Sequence, residues 1–281
     1  MTEDMSSLRP RLMSVAYRML GSVADAEDAV QDAFLRYHTA GGVSSPEGFL
    51  VRTTTRLCID RLRERRRREY VGPWVPEPVA TRVEKRDAVL AESLTQAFLL
   101  LLERLTPDER AAFLLRAVFD YEYAEVAVVV GKSEAAVRQL VSRARGRLGL
   151  DGARRFPAIP ARAEGLAERF VAACRAGDVK AVEAMLAENA EMHTDGGGKA
   201  TAARVVLRGR DKVARFLTGV LRKPRYQDMG VAVVNGEPGL VFRSGGRVVA
   251  VLSLRVEGDV RAVYITVNPD KLGRWAVTEV E

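Results

Sequence analysis

The 281-residue sequence is poor in the residues that build metal centres and disulfide frameworks, with 2 cysteines and 2 histidines. Cys58 and Cys174 have no neighbouring cysteines, and His38 and His193 complete no ligand spacing, so neither a metal cluster nor a disulfide scaffold can be written. Long hydrophobic runs are also missing. No apolar stretch approaches the roughly eighteen residues of a membrane helix, and the N-terminus MTEDMSSLRPR lacks the core of a signal peptide. The expectation is a cytoplasmic protein with no membrane partner. Disorder is excluded as well, because 47% hydrophobic residues against 29% charged ones supply enough apolar surface for real cores. The length is too great for one ordinary domain and suits two of medium size.

What is present is positive charge. The formal net charge of +7 favours an anionic partner, and its placement says more than its size. Arg61, Arg63, Arg65, Arg66, Arg67 and Arg68 fall in one stretch, RLRERRRR, at the end of a predicted helix.

Apolar residues recur at helical spacing from Ser6 to about Leu148. A first helix runs through Leu12, Val15, Ala16 and Met19 and stops at Gly21. Ser22 caps a second, whose first turns carry Asp25, Glu27 and Asp28, where carboxylates suit the helix dipole. A loop over 38–44 precedes Ser45-Pro46-Glu47, a good start for a third helix that ends in the arginine run. Residues 71–84, VGPWVPEPVATRVE, hold three prolines and read as a linker. Helix is expected again over 85–105. Thr106 and Glu109 form a capping box for a helix to about Phe119, and a short helix over 122–130 ends at Gly131. Ser133 caps the last helix of this half. A second linker, 151–160, is followed by two helices, 163–176 and 179–189, and then by valine-rich strands at 204–207, 231–235, 239–243, 247–254 and 260–267. One helix, 211–221, interrupts them, and Asn235-Gly236 and Gly245-Gly246 are hairpin turns, which together predict an α+β domain with an antiparallel sheet.

The stretch YEYAEVAVVVGKSEAAVRQLVSRARGRL has the form of a helix-turn-helix, with Val126, Val137, Leu140 and Ala144 at buried spacing. Ser133, Arg138, Gln139, Ser142, Arg143 and Arg145 then face outward and are of the types that reach phosphates and base edges. An ordinary helical hairpin with a solvated basic face is the plainer alternative. Helix three carries Arg52, Thr53, Arg56, Asp60, Arg61 and Arg63 near Phe49, Phe34, Tyr37 and His38. Basic residues beside aromatics suit single-stranded DNA, although an arginine-rich helix end also satisfies the helix dipole alone.

The order of these parts resembles an extracytoplasmic-function sigma factor, a promoter-specificity subunit of bacterial RNA polymerase. The matching stretches are DAEDAVQDAFLRY, SPEGFLVRTTTRLCIDRLR, LTPDERAAFLLRAVFDYEYAEVA and SEAAVRQLVSRARGRL. The resemblance implies that Asp25, Asp28, Gln31, Asp32 and Phe34 dock on core polymerase. It further implies minus-ten recognition by the second stretch, a flipped base in the 38–44 loop and minus-thirty-five reading by the last. WVPEP in the linker with Trp74 and Pro76, DGGGK (Asp195, Gly196, Gly197, Gly198, Lys199) and NPDKL (Asn268, Pro269, Asp270, Lys271) resemble the signatures of sigma factors with a fused SnoaL-like domain of cone fold, which is thought to modulate the factor in cis. The sequence departs from the family at Val126-Ala127-Val128-Val129-Val130, where an isoleucine and a more polar surface are usual.

The expected protein is therefore multidomain: two all-α sigma domains, the second with a helix-turn-helix, followed by an α+β SnoaL-like cone domain. The boundaries expected are a region-two domain over 1–70, a linker over 71–95, a region-four domain over 96–150, a linker over 151–160 and the regulatory domain over 161–281. Core RNA polymerase and promoter DNA are the implied partners, no cofactor is implied, and the last domain has room for a small apolar ligand. The competing readings are a SnoaL-like isomerase or cyclase fused to a DNA-binding regulator, with His193, Asp195 and Asp228 as its acid–base set, and a repressor that works without polymerase. Complementary charges in DGGGK and NPDKL suggest a bridge, with Asn268 to Leu272 leaving the sheet as an exposed segment.

Overall fold

The computed structural model describes residues 5–65, 70–81, 93–150, 165–226 and 228–276. Arg66, Arg67 and Arg68, the first part of the helix expected over 85–105, and the 151–160 linker lie outside them. Two compact units form, one from Met1–Glu69 with Phe98–Phe156, the other from Tyr70–Ala97 with Pro157–Glu281.

In the first unit, helices α1 (Arg9–Leu20), α2 (Val23–Thr39) and α3 (Pro46–Arg65) pack through Leu12, Val15, Val30, Leu50, Ile59 and Leu62. Gly21 stops α1 in the left-handed conformation with its N–H on the Tyr17 carbonyl, and the Ser22 hydroxyl accepts from the Asp25 N–H. Helix α2 extends through His38 to Thr39, so the loop begins later than expected; the Thr39 hydroxyl donates back to the Leu35 and Arg36 carbonyls and closes the last turn. Helix α4 (Gln96–Leu102) is shorter than the spacing predicted, because residues 93–95 form a turn. Ser93 and Thr95 are buried there, in a stretch that belongs with the second unit, where the Leu94 carbonyl accepts from Asn235 Nδ2. Both arms of the capping box start α5 (Pro107–Phe113), which passes into a π-helical turn, Leu114–Val118. Helices α6 (Tyr123–Val130) and α7 (Glu134–Leu148) follow, separated by Gly131 and capped by Ser133.

In the second unit, α8 (Leu166–Ala176), α9 (Val179–Met185) and α10 (Arg210–Leu221) cover one face of a six-stranded sheet. Its strands are β1 (Leu186–Asp195), β2 (Leu207–Arg208), β3 (Asp228–Val234), β4 (Glu237–Ser244), β5 (Arg247–Glu257) and β6 (Asp259–Thr266), in the order β2-β1-β6-β5-β4-β3. The α+β architecture is as expected. The expected all-antiparallel pairing is not, since β1 runs parallel to β6, with His193 opposite Tyr264. The helix expected over 179–189 ends at Met185, and the strand expected over 204–207 reduces to Leu207–Arg208. The helix ends there because Leu186, Ala190 and Met192 enter the core as strand residues, with a register shift after Leu186 that breaks the simple alternation; Val205, in the part of 204–207 that forms no strand, is exposed. The hairpins close with two-residue turns at Asn235-Gly236 and Gly245-Gly246, all four residues at positive φ. Phe170, Leu217, Phe242 and Leu252 lie fully buried between helices and sheet, where truncating such a phenylalanine costs about 3–5 kcal/mol. A smaller cluster of Val234, Val241, Val251, Leu272 and Trp275 occupies the opposite face.

Candidate nucleic-acid interface and linker seat

Helix α7 buries Val137, Leu140, Val141, Ala144 and Leu148 and turns Arg138, Gln139, Ser142, Arg143 and Arg145 to solvent. Ser133 is exposed too, its hydroxyl accepting from the Ala136 N–H at 3.2 Å. The exposed arginines are oriented: Arg138 pairs with Glu134 and stacks 4.1 Å from the Tyr123 ring centroid, and Arg143 lies 3.9 Å from the Glu109 carboxylate. Glu109 is buried, holds the capping box and takes Arg147 at 3.0 Å, so one carboxylate sets both the start of α5 and the end of α7.

On α3 the expected single-strand face divides. Arg52 lies over the Phe49 ring at 5.7 Å and, with Thr53, is half-buried. Arg56 donates to the Val129 carbonyl at 3.1 Å, a cation at the C-terminal end of α6. Arg63 bridges Asp60 and Asp108, each at 3.2 Å. Arg61 turns the other way, pairing with Asp32 at 3.0 Å and donating to the Asp25 carbonyl, so it joins the acidic face of α2 rather than the aromatic one. Arg65 holds the helices together through the Leu20 carbonyl at 2.8 Å and Glu103 at 2.7 Å. Buried Arg110 completes this knot on the Met19 and Leu102 carbonyls and Glu103. Burial alone would raise the Glu103 carboxyl, but Arg110 and Arg65 outweigh it and hold the group below its ordinary range. A cleft of about 810 Å³ opens between the Ala40–Ser45 stretch with Arg52 on one side and Tyr121, Glu125 and Val128 on the other.

Helix α2 places Asp25, Asp28 and Gln31 in solvent, with Asp32 and Phe34 half-buried. Leu35 is 58% exposed on the same helix, an apolar residue among carboxylates that periodicity alone did not single out.

The second unit seats the linker. Asp195, at the end of β1, is fully buried and uses both carboxylate oxygens. Oδ1 accepts from the Tyr70 hydroxyl at 2.6 Å and the Gly197 N–H at 2.9 Å; Oδ2 accepts from the Val75 N–H at 2.9 Å and Lys271 Nζ at 2.7 Å. Lys271 also donates to the Val75 carbonyl and sits 4.6 Å from the Trp74 ring centroid and 5.3 Å from that of Tyr70. Burial first, and then the Asp195 carboxylate, push the Tyr70 hydroxyl pKa up. Asn268 donates to the Tyr70 oxygen at 3.2 Å, and Lys199 pairs with Asp270 at 2.6 Å. Gly196 is buried, where a Cβ would stand 2.3 Å from the Ala200 carbonyl oxygen. Gly197 has φ +57 and a Cβ there would stand 2.2 Å from Asn268 Nδ2, so the loop admits no side chain. Gly198 faces Val71. Farther along, the Pro76 carbonyl accepts from Gln96, whose other amide atom accepts from Ser253; Trp275 donates to the Pro78 carbonyl, and Ala80 pairs with Val234 at the sheet edge. The segment after β6 is consequently not exposed as expected. Pro269 and Asp270 are exposed, but Asn268, Lys271 and Leu272 are buried because Lys271 turns inward to Asp195.

Family models match at three places: Sigma-70 region 2 over 5–68, Sigma-70, region 4 over 95–148, and a SnoaL-like domain over 167–276. The ECF RNA polymerase sigma factor SigJ of Mycobacterium tuberculosis is 39% identical over 95% of this chain and 92% of its own length. The chain belongs to the extracytoplasmic function sigma factors. Another similar protein is the probable ECF sigma factor SigI of the same organism, 28% identical over 94% of this chain and 92% of its own. The crystal structure of Mycobacterium tuberculosis SigJ superposes with a TM-score of 0.77 at 37% identity, covering 95% of this chain and 96% of that one.

The similar proteins are named as sigma factors rather than as enzymes. The alternative acid–base set is not assembled either. Asp195 is committed to the linker, His193 pairs with Glu191 at 3.3 Å, and Asp228 begins β3, separated from β1 by three strands. Burial pushes the His193 pKa down, with Glu191 partly countering it. No helix among the described residues is long and apolar enough to cross a membrane. The residues whose part in the seat sequence reasoning missed are Tyr70, which reaches Asp195 from the linker side, and Gln96 and Asn235, which bind the linker backbone; none carries a local signal for it.

Proposed function

We propose that this sigma factor binds core RNA polymerase in the cytoplasm through α2, reads the minus-ten and minus-thirty-five elements with α3 and α7, and is modulated in cis by its C-terminal domain. The domain boundaries, the roles of the named side chains and the small-ligand capacity of the last domain belong to this reading. One observation carries it: the linker joining region 2 to region 4 is fastened by Tyr70 and Val75 to a buried carboxylate of the C-terminal domain. A linker held there has fewer arrangements open to the two regions it connects than a free chain has, and a domain that prefers one arrangement biases the equilibrium between them.

The test uses Asp195→Asn in the full chain, which keeps the shape and removes the charge that holds Lys271. Core-polymerase affinity and transcription from the native promoter are measured beside the unmodified protein. A changed transcript yield with core affinity retained or increased supports modulation in cis. Equal affinity and equal yield in a folded variant refute it. Failure of the unmodified protein to bind core polymerase, with tight binding to duplex DNA alone, would return the repressor reading.

A further inference from the structure

The core of the C-terminal domain is not filled. A cavity of about 180 Å³ lies between α10, the turn Pro224–Tyr226 and the helix-covered face of the sheet. Its walls are apolar, with Phe216, Leu217 and Leu221 on the helical side and Phe242, Leu252 and Ile265 on the sheet. Ala250 on β5 leaves room that a larger residue would close. No acidic residue lines this space, whereas Lys223 and Arg225 do, and neither has an ion pair among the described residues. Arg225 donates to the Tyr226 hydroxyl oxygen at 2.5 Å and lies 4.5 Å from that ring centroid. Having accepted that bond, the hydroxyl keeps its own proton to donate.

The wall nearest the linker is thin. Thr194 and residues 201–203 line this cavity and also a second one of about 350 Å³, whose far side is Val71 and Gly72 of the linker with Gly198 and Lys199. A Cβ on Gly72 would stand 3.9 Å from the Arg204 Cα, and one on Gly198 3.3 Å from the Val71 Cβ, so linker and wall are in van der Waals reach. Residues 201–203 belong to no strand or helix and are tied by the Thr194 hydroxyl, which donates to the Ala203 carbonyl at 3.1 Å. The next residue after Thr194 is Asp195, on which the linker is fastened.

We propose that the cavity binds a small apolar carboxylic acid, its hydrocarbon body between α10 and the sheet and its carboxylate on Tyr226, Arg225 and Lys223, and that occupancy is transmitted through residues 201–203 to the linker seat. An apolar cavity of about 150 Å³ accepts benzene, which sets the ligand at about ten non-hydrogen atoms. Two cations without an anion select the carboxylate over a neutral head group. The effect on transcription rests on modulation in cis through the linker, whereas the binding and its transmission do not.

Octanoate is the probe, with octanol as its neutral counterpart and palmitate as the acid too long for the space. Titration calorimetry on the full chain is expected to show one saturable octanoate site and none for palmitate. Lys223→Gln with Arg225→Gln, both exposed and outside the packed core, weakens octanoate about tenfold and leaves octanol unchanged. Of the two tryptophans, Trp74 lies in the linker under Lys271 and Trp275 donates to the linker's Pro78 carbonyl, and neither lines the cavity, so their emission reports the seat alone. That emission is expected to shift with the midpoint of octanoate binding. The absence of a saturable octanoate site, equal losses for octanoate and octanol in the double variant, or unmoved emission at saturation each overturns the proposal. If emission shifts while transcription stays constant, cis modulation falls and the site stands. If Asp195→Asn alters transcription while octanoate does not bind, the site falls alone.

Discussion

The two units of this sigma factor use charge in opposite ways. In the helical unit, Arg56, Arg61 and Arg63 hold carbonyls and carboxylates near the surface, in pairs that water and salt screen. In the C-terminal unit, one lysine and one aspartate are buried together, and every remaining carboxylate position is taken by the linker or the glycine loop. Exposed pairs exchange readily for other anions such as DNA phosphates. A buried pair is costly to leave half-made, and it commits the chain to one arrangement.

Removing one partner of the buried pair should produce the largest effect. Lys271→Met leaves Asp195 in the core without its cation, and unfolding of the C-terminal unit in urea should show a loss of about 3–5 kcal/mol. A loss below about 1 kcal/mol would mean that the carboxylate finds water and that the contrast between the units is smaller than drawn. Arg138→Ala comes next. Its pair with Glu134 is exposed, so stability should hold, while discrimination between the native promoter and one altered in the minus-thirty-five element drops by about 1–3 kcal/mol in competition binding.

The helical unit has two exceptions, the pair of buried Arg110 with Glu103 and the buried Glu109, which is shared between a cap and Arg147. Glu109→Ala should cost about 1–2 kcal/mol in thermal unfolding, more than any exposed arginine there. Arg63→Ala marks the lower end, with a stability change under about 1 kcal/mol that disappears at high salt. Acid sharpens the same contrast. Glu103 has its folded pKa lowered by Arg110 and Arg65, so its contribution is full above the ordinary carboxylate pKa and is lost as pH falls through the lowered folded value. Glu103→Gln should flatten the acid limb of the stability profile, read by circular dichroism.

The helices, caps and hairpins were legible because their signals are local. Ser22, the Thr106–Glu109 box, Ser133 and the Asn235-Gly236 turn each act within a few residues. Complementary charge in DGGGK and NPDKL was legible as well, and the structure joins Lys199 to Asp270 and Asp195 to Lys271. What was hidden is non-local. Strand β1 pairs in parallel with β6 across more than sixty intervening residues, and its alanines and register shift mask the alternation, so its first part read as helix. Arg65 read as part of a positive helix end and Arg110 carried no local signal, yet both tie together helices whose proximity no periodicity reveals. The linker showed its prolines but not that Val75, Pro76 and Pro78 bond to the sheet domain unit.

The most direct measurement of the account perturbs the linker side of the seat and leaves the domain intact. Tyr70→Phe with Trp74→Ala removes the hydroxyl on Asp195 and the ring over Lys271, both from half-exposed side chains. Promoter-dependent transcription with saturating core polymerase is then compared with the unmodified protein. The account predicts a changed yield from a C-terminal unit that remains folded by circular dichroism. An unchanged yield, with hydrogen exchange showing that the Val75 amide has lost its protection, would contradict it.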